Sequence, residues 1–155
     1  MFKKVLVVND DEISLFVSCK MIVKTGFAKD VITAVNGSRA LHVFDTLLLS
    51  SKSPNEVPEI VFLDLHMPVM DGWEFLEIFT EKYAYIFPAV RFIILSSSID
   101  ADDIQKLKRY SPVLELIRNP LNFEILKGLQ AQLRGENGRF PHSSELHVAK
   151  SQMIV

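Results

Sequence analysis

Asp64 closes an apolar run, Ile60-Val61-Phe62-Leu63, and opens the segment Leu65-His66-Met67-Pro68-Val69-Met70-Asp71-Gly72. A short apolar run bounded by turn residues reads as a buried parallel strand. Open α/β sheets bind their ligands just beyond the carboxyl ends of such strands, so a carboxylate there is placed for chemistry rather than packing. A second apolar run, Val5-Leu6-Val7-Val8, leads into Asn9-Asp10-Asp11-Glu12. Carboxylates at two strand ends point to a site for a hard divalent cation, which takes oxygen ligands.

Alternating strands and helices would bring those ends together. Residues 4–9, 31–35, 59–64, 90–95 and 113–117 read as strands, the second rich in β-branched residues. Asp10 or Asp11 can cap the first helix, whose apolar residues include Ile13, Phe16, Val17 and Met21, and Gly26 ends it. Asn36-Gly37-Ser38 turns into a helix with Leu41, Phe44 and Leu48 on its apolar face. Ser50 to Pro58 is a polar loop with two prolines. Asp71 and Glu74 stand at capping-box spacing before Phe75, Leu76 and Phe79. Asp100 caps a polar helix through Arg109 with Ile104 and Leu107 inward, and Asn122 caps a last helix with Ile125, Leu126, Leu129 and Leu133 on one face. Gly135 ends that helix. Five βα units specify an α/β fold: a doubly wound parallel sheet with helices on both faces. Residues 1–133 form this domain, and residues 134–155 read as a tail without its own fold.

The chain has 155 residues, 48% of them hydrophobic, enough for one domain with a full core. A formal charge of −2 gives no pull toward nucleic acid. Cys19 is the single cysteine, so no internal disulfide can form, and it reads as a small core residue. The four histidines share no metal-ligand spacing and read as surface groups. No signal-peptide core and no membrane-length apolar stretch is present, so a cytoplasmic protein with no membrane partner is expected.

The acidic cluster after the first strand, the Asp64-Leu-His-Met-Pro-x-Met-Asp-Gly segment, the Ile-Leu-Ser-Ser-Ser end of the fourth strand and the Asn119-Pro120 dipeptide resemble, in order and spacing, the receiver domain of two-component response regulators. The resemblance covers residues 1–133. It implies a flavodoxin-like (CheY-like) three-layer sandwich with five strands in the order 2-1-3-4-5. It implies that Asp64 is the phosphoacceptor, forming an acyl phosphate, and that Mg2+ is bound by Asp10, Asp64 and the backbone carbonyl of His66, with Asn9 acting through water. Ser96 would then contact the phosphoryl group. The Asn119-Pro120 bond is expected to be cis.

Three residues depart from the family's pattern. Asn9 stands where an acidic residue is usual, Asn119 replaces the usual lysine, and Leu116 replaces a switching Tyr or Phe. The reading that follows is a stand-alone receiver in phosphorelay signalling. It takes its phosphoryl group from a histidine kinase or phosphotransfer protein and signals to a downstream protein, as a monomer or weak homodimer. The alternative is a degenerate receiver that binds partners without phosphorylation. No separate substrate turnover is expected: His66 sits where an Asp-nucleophile phosphatase would want a second acid, and no Gly-x-Ser-x-Gly elbow is present.

Overall fold

The computed structural model describes residues 1–50, 53–134 and 147–148. Its elements run β1 (Phe2–Val8), α1 (Glu12–Lys24), β2 (Ala28–Ala34), α2 (Gly37–Leu49), β3 (Ile60–Asp64), α3 (Gly72–Lys82), β4 (Arg91–Ser96), α4 (Ala101–Leu107), β5 (Val113–Arg118), α5 (Phe123–Leu133) and β6 (His147–Val148), with a 3-10 turn at Pro54–Glu56. The sheet is parallel, in the order β2-β1-β3-β4-β5-β6. The doubly wound 2-1-3-4-5 core is therefore as expected from the sequence, and β6 adds two residues to the β5 edge, His147 opposite Glu115 and Val148 opposite Leu116. The rest of the tail and the Gly135 helix stop lie outside the described residues, as do Ser51 and Lys52 of the polar loop.

Each helix begins because a short polar side chain satisfies backbone N–H groups that have no partner within the helix. Asp11, Asn36, Asp71, Asp100 and Asn122 all do this, each accepting at 2.8–2.9 Å from an N–H two or three residues on. Thr25 closes α1, and Gly26 follows with φ +65°, the left-handed step that glycine takes without strain.

Two apolar layers sandwich the sheet. On one side Leu6, Val8, Val61, Leu63, Phe92, Ile94 and Leu116 pack under α2, α3 and α4. On the other, Val5, Val7, Phe62, Ile93, Leu95 and Ile117 pack under α1 and α5. The first layer is aromatic: the Phe79 ring meets Phe44 at 4.9 Å and Phe92 at 4.8 Å, both nearly edge-on. Tyr83 is buried with its hydroxyl donating to Asp45, which also pairs with Lys82 at 3.5 Å, tying α2 to α3. A register shift against Phe92/Ile93 re-phases β5, so that Leu114 and Ile117 face one layer and Val113 and Leu116 the other.

Several helix faces differ from the sequence expectation. α1 buries Leu15, Ser18 and Ile22, whereas Ile13 and Phe16 are exposed. α2 buries Gly37, Ala40 and Phe44, and Leu48 lies at its exposed margin. α4 stops at Leu107, two residues short of Arg109. Cys19 is only partly buried, and that burial raises its thiol pKa.

Candidate functional site

Four strand ends meet along one rim of the sheet. In register, Val8 lies opposite Leu63, Asp64 opposite Leu95, and Ser96 opposite Arg118; neighbouring strands are about 4.8 Å apart. The Asn9 N–H donates to the Ala34 carbonyl at 3.1 Å and the Asn119 N–H to the Ser96 carbonyl at 2.9 Å. Asn9, Asp64, Ser96 and Asn119 therefore stand at the carboxyl ends of β1, β3, β4 and β5, as the sequence predicts.

Asp64 is half-buried at the rim. Burial raises its carboxyl pKa above the ordinary range. The His66 N–H, donating at 3.1 Å, opposes that rise, and the negative charge of Asp10 adds to it. Asp10 itself is exposed. It directly follows Asn9 at the end of β1, the strand paired in parallel with β3. Asn9 is almost wholly buried, and its amide oxygen accepts from the Asp11 N–H at 2.9 Å; a carbonyl oxygen keeps a second lone pair. Asp11 is the α1 cap, and Glu12 lies in the first turn of α1. No group of three or more His, Cys, Asp or Glu side chains that could hold a metal occurs among the described residues. A cation here would take two carboxylates, a backbone carbonyl and several waters, a set that fits Mg2+.

Ser96 is fully buried, with its hydroxyl donating to the carbonyl of Ser98 in the loop that leads to α4. Asn119 is half-buried, Arg118 exposed, and the Asn119-Pro120 bond is cis. Leu116 is fully buried in the layer beneath α4. The side chains of His42 and His66 are exposed.

Two features of the β3–α3 loop were not legible in its motif. The Met70 N–H donates to the Pro68 carbonyl at 2.9 Å across Val69, whose φ is +70°. This is a γ-turn of the strained kind, with a β-branched residue at its centre. The turn sends the Met70 carbonyl to the Gly37 N–H at 3.0 Å, and a Cβ at residue 37 would stand 2.7 Å from Met70 Cγ. The β2–α2 turn is thereby locked to the wall of the site. Val69 is 84% exposed, so its side chain returns no packing for the strain. Val69→Gly is expected to stabilise the fold by about 1 kcal/mol, the left-handed cost less the extra entropy of glycine. In a thermal melt that is a rise of roughly 2–4 °C; an unchanged or lower midpoint would show that the turn is unstrained.

The second feature is Gly72. Its N–H donates to the Leu65 carbonyl at 3.0 Å, and a Cβ there would lie 2.4 Å from the Asp64 carbonyl oxygen. The first residue of α3 is thus pressed against the peptide that carries the candidate nucleophile.

The model of the family described as response regulator receiver domain matches residues 5–114. A probable methanogenesis regulatory protein, FilR2, of Methanothrix harundinacea (strain 6Ac) is 28% identical over 123 residues, 79% of this chain and 76% of that protein. A two-component response regulator from Cytophaga hutchinsonii superposes with a TM-score of 0.73 at 25% identity, covering 83% of this chain and 93% of that one. The CheX-CheY-BeF3-Mg2+ complex from Borrelia burgdorferi gives a TM-score of 0.70 at 20% identity, covering 86% and 90%, and is similar in fold.

Proposed function

Since the chain belongs to the response regulator receiver family, and receivers are signalling modules, we propose that it works by accepting a phosphoryl group on Asp64 from a histidine kinase or phosphotransfer protein. The observation that carries this reading is the half-buried Asp64 at the carboxyl end of β3, beside the β1 end that carries Asn9 and Asp10. A carboxylate oxygen of Asp64 attacks phosphorus in line, an acyl phosphate forms, and the bond from phosphorus to the donor nitrogen breaks with its electron pair leaving on nitrogen. Asp10, Asp64 and the His66 carbonyl would hold Mg2+, with Asn9 acting through water. Bound there, the ion supplies charge that screens the approach of an anionic donor to an anionic site. The Ser96 hydroxyl turns from the Ser98 carbonyl to a phosphoryl oxygen, and the Asn119 amide donates to another. Residues 1–133 constitute the receiver unit, acting in the cytoplasm through contacts with a downstream protein.

The test is incubation with Mg2+ and a small phosphodonor such as acetyl phosphate, read by intact mass. A gain of one phosphoryl group supports the reading. No gain overturns it in favour of a phosphorylation-independent interaction module, the alternative that Asn9, Leu116 and Asn119 allow.

Asn9 leaves the cation one carboxylate short of the family pattern. Two unit charges about 5 Å apart interact by roughly 3 kcal/mol at an effective dielectric of 20, and the ion carries two charges. The repulsion among the carboxylates is present with and without the ion, so the attraction added by a third carboxylate is what changes binding. Asn9→Asp is expected to tighten Mg2+ binding about tenfold after the cost of burying the new charge. Calorimetric titration of both proteins measures this, and equal affinities would refute it.

A further inference from the structure

We infer that the outer edge of β5 accepts an extended, apolar segment of a partner protein with a carboxylate at its end, in place of β6. The inference stands apart from the reading of Asp64. β5 runs from Val113 to Arg118, and β6 engages its middle, with His147 opposite Glu115 and Val148 opposite Leu116, in parallel. A parallel strand therefore fits this edge. Two residues of ladder contribute few hydrogen bonds, each of small net worth, so a strand that pairs along all of β5 outcompetes β6. Residues 135–146 join Arg134, just after α5, to β6. A chain of that length spans up to roughly 40 Å, whereas α5 is only about 16 Å long. β6 can leave the edge while α5 stays packed.

The side chains of β5 suit an added strand. Val113, Leu114, Leu116 and Ile117 are buried in the two apolar layers. The one carboxylate in the strand, Glu115, is 3% exposed and accepts from Gln132 Nε2 of α5 at 3.1 Å, so its charge is held by an amide of the same chain. Arg118 ends the strand, exposed at the rim. In the register set by His147 and Val148, the sequence of this chain would bring Lys150 to Arg118. Two like charges repel there. A segment with Asp or Glu at that place turns the repulsion into attraction, and main-chain pairing along the edge supplies the rest of the affinity. Charge thus selects a partner strand over the chain's own.

Two short peptides test this: Glu-Leu-His-Val-Ala-Lys, the sequence of residues 145–150, and the same peptide ending in Glu. Each carries a fluorophore at its amino end and is titrated by anisotropy into the full chain. It is also titrated into the full chain with His147→Pro and Val148→Pro, which strips β6 of donors to the ladder. Amide exchange of residues 113–118 is measured with and without peptide. The Glu-ended peptide is expected to bind, to slow exchange across 113–118, and to bind the proline variant more tightly because no strand has to be displaced. It binds wild type roughly fivefold more tightly than the Lys-ended peptide at low salt, a preference that shrinks at high salt and vanishes in Arg118→Gln. Wild type and Arg118→Gln decide the question even where the proline variant does not fold. Binding with β5 exchange unchanged, or with no preference for the acidic end, overturns the inference. So does failure of both peptides to bind any of these chains. A concentration-dependent dimer of wild type that binds neither peptide gives the edge to a second copy instead, and overturns it as well.

Discussion

Asp64→Asn is expected to abolish phosphoryl uptake and, in the same preparation, to make the fold more stable at neutral pH. Loss of uptake follows from chemistry: an amide has no anionic oxygen to attack phosphorus. The gain in stability follows from the raised carboxyl pKa, which burial causes first and the Asp10 charge reinforces. The folded chain holds the Asp64 proton more tightly than the unfolded chain does. The ionised carboxylate therefore costs stability at neutral pH, and the cost disappears as the pH falls through the raised folded pKa toward the ordinary carboxylate value. Thermal midpoints of the two proteins should differ in favour of Asn at pH 7 and converge at pH 4. A gap of equal size at both pH values would contradict the electrostatic account, and a phosphoryl adduct on the mutant would remove Asp64 from its role.

Gly72→Ala should produce the largest loss of stability of any single methyl addition at the described glycines. The new Cβ would lie 2.4 Å from the Asp64 carbonyl oxygen and 2.8 Å from Leu65 Cα. Both obstacles are backbone, so no side chain can rotate away. α3 must retreat and stretch the 3.0 Å bond from the Gly72 N–H to Leu65. Overpacking of this kind costs about 3 kcal/mol, which lowers the midpoint by roughly 6–12 °C. Because the displaced peptide carries the Asp64 carboxylate, phosphoryl uptake should slow as well. Gly128→Ala is the contrast: it lies within α5 with nothing inside 4 Å of the added carbon, and the better helix former should stabilise by up to about 1 kcal/mol. Parallel melts of the two variants check both signs.

The polar residues that begin helices could be read directly, because capping is a local event. Position alone marks Asp71, Asp100 and Asn122 as caps and narrows the first helix to Asp10 or Asp11; Asp11, Asp71, Asp100 and Asn122 each accept from N–H groups that the helix start leaves over. The Asp64 strand end was equally legible, since an apolar run fixes where a parallel strand stops. α1 was harder because it is apolar on two faces: periodicity cannot choose between Ile13 with Phe16 and Leu15 with Ile22, and only packing against β2 and α5 does. The re-phasing of β5 is not legible in the sequence because alternation assumes an unbroken ladder. The crowding at Gly72 and the turn at Val69 depend on how distant segments approach, which no local pattern encodes.

The outer strands of this sheet end in unlike ways, and the difference bears on self-association. A bare margin of a parallel sheet presents a row of amide groups that can recruit strands from other molecules. β2 carries exposed Lys29 and Asp30, whose charges discourage a neutral segment from docking alongside. At the opposite margin β6 already occupies the centre of β5, at Glu115 and Leu116. Ribbon-like polymerisation through either side would have to bury charge on one and evict a resident strand on the other.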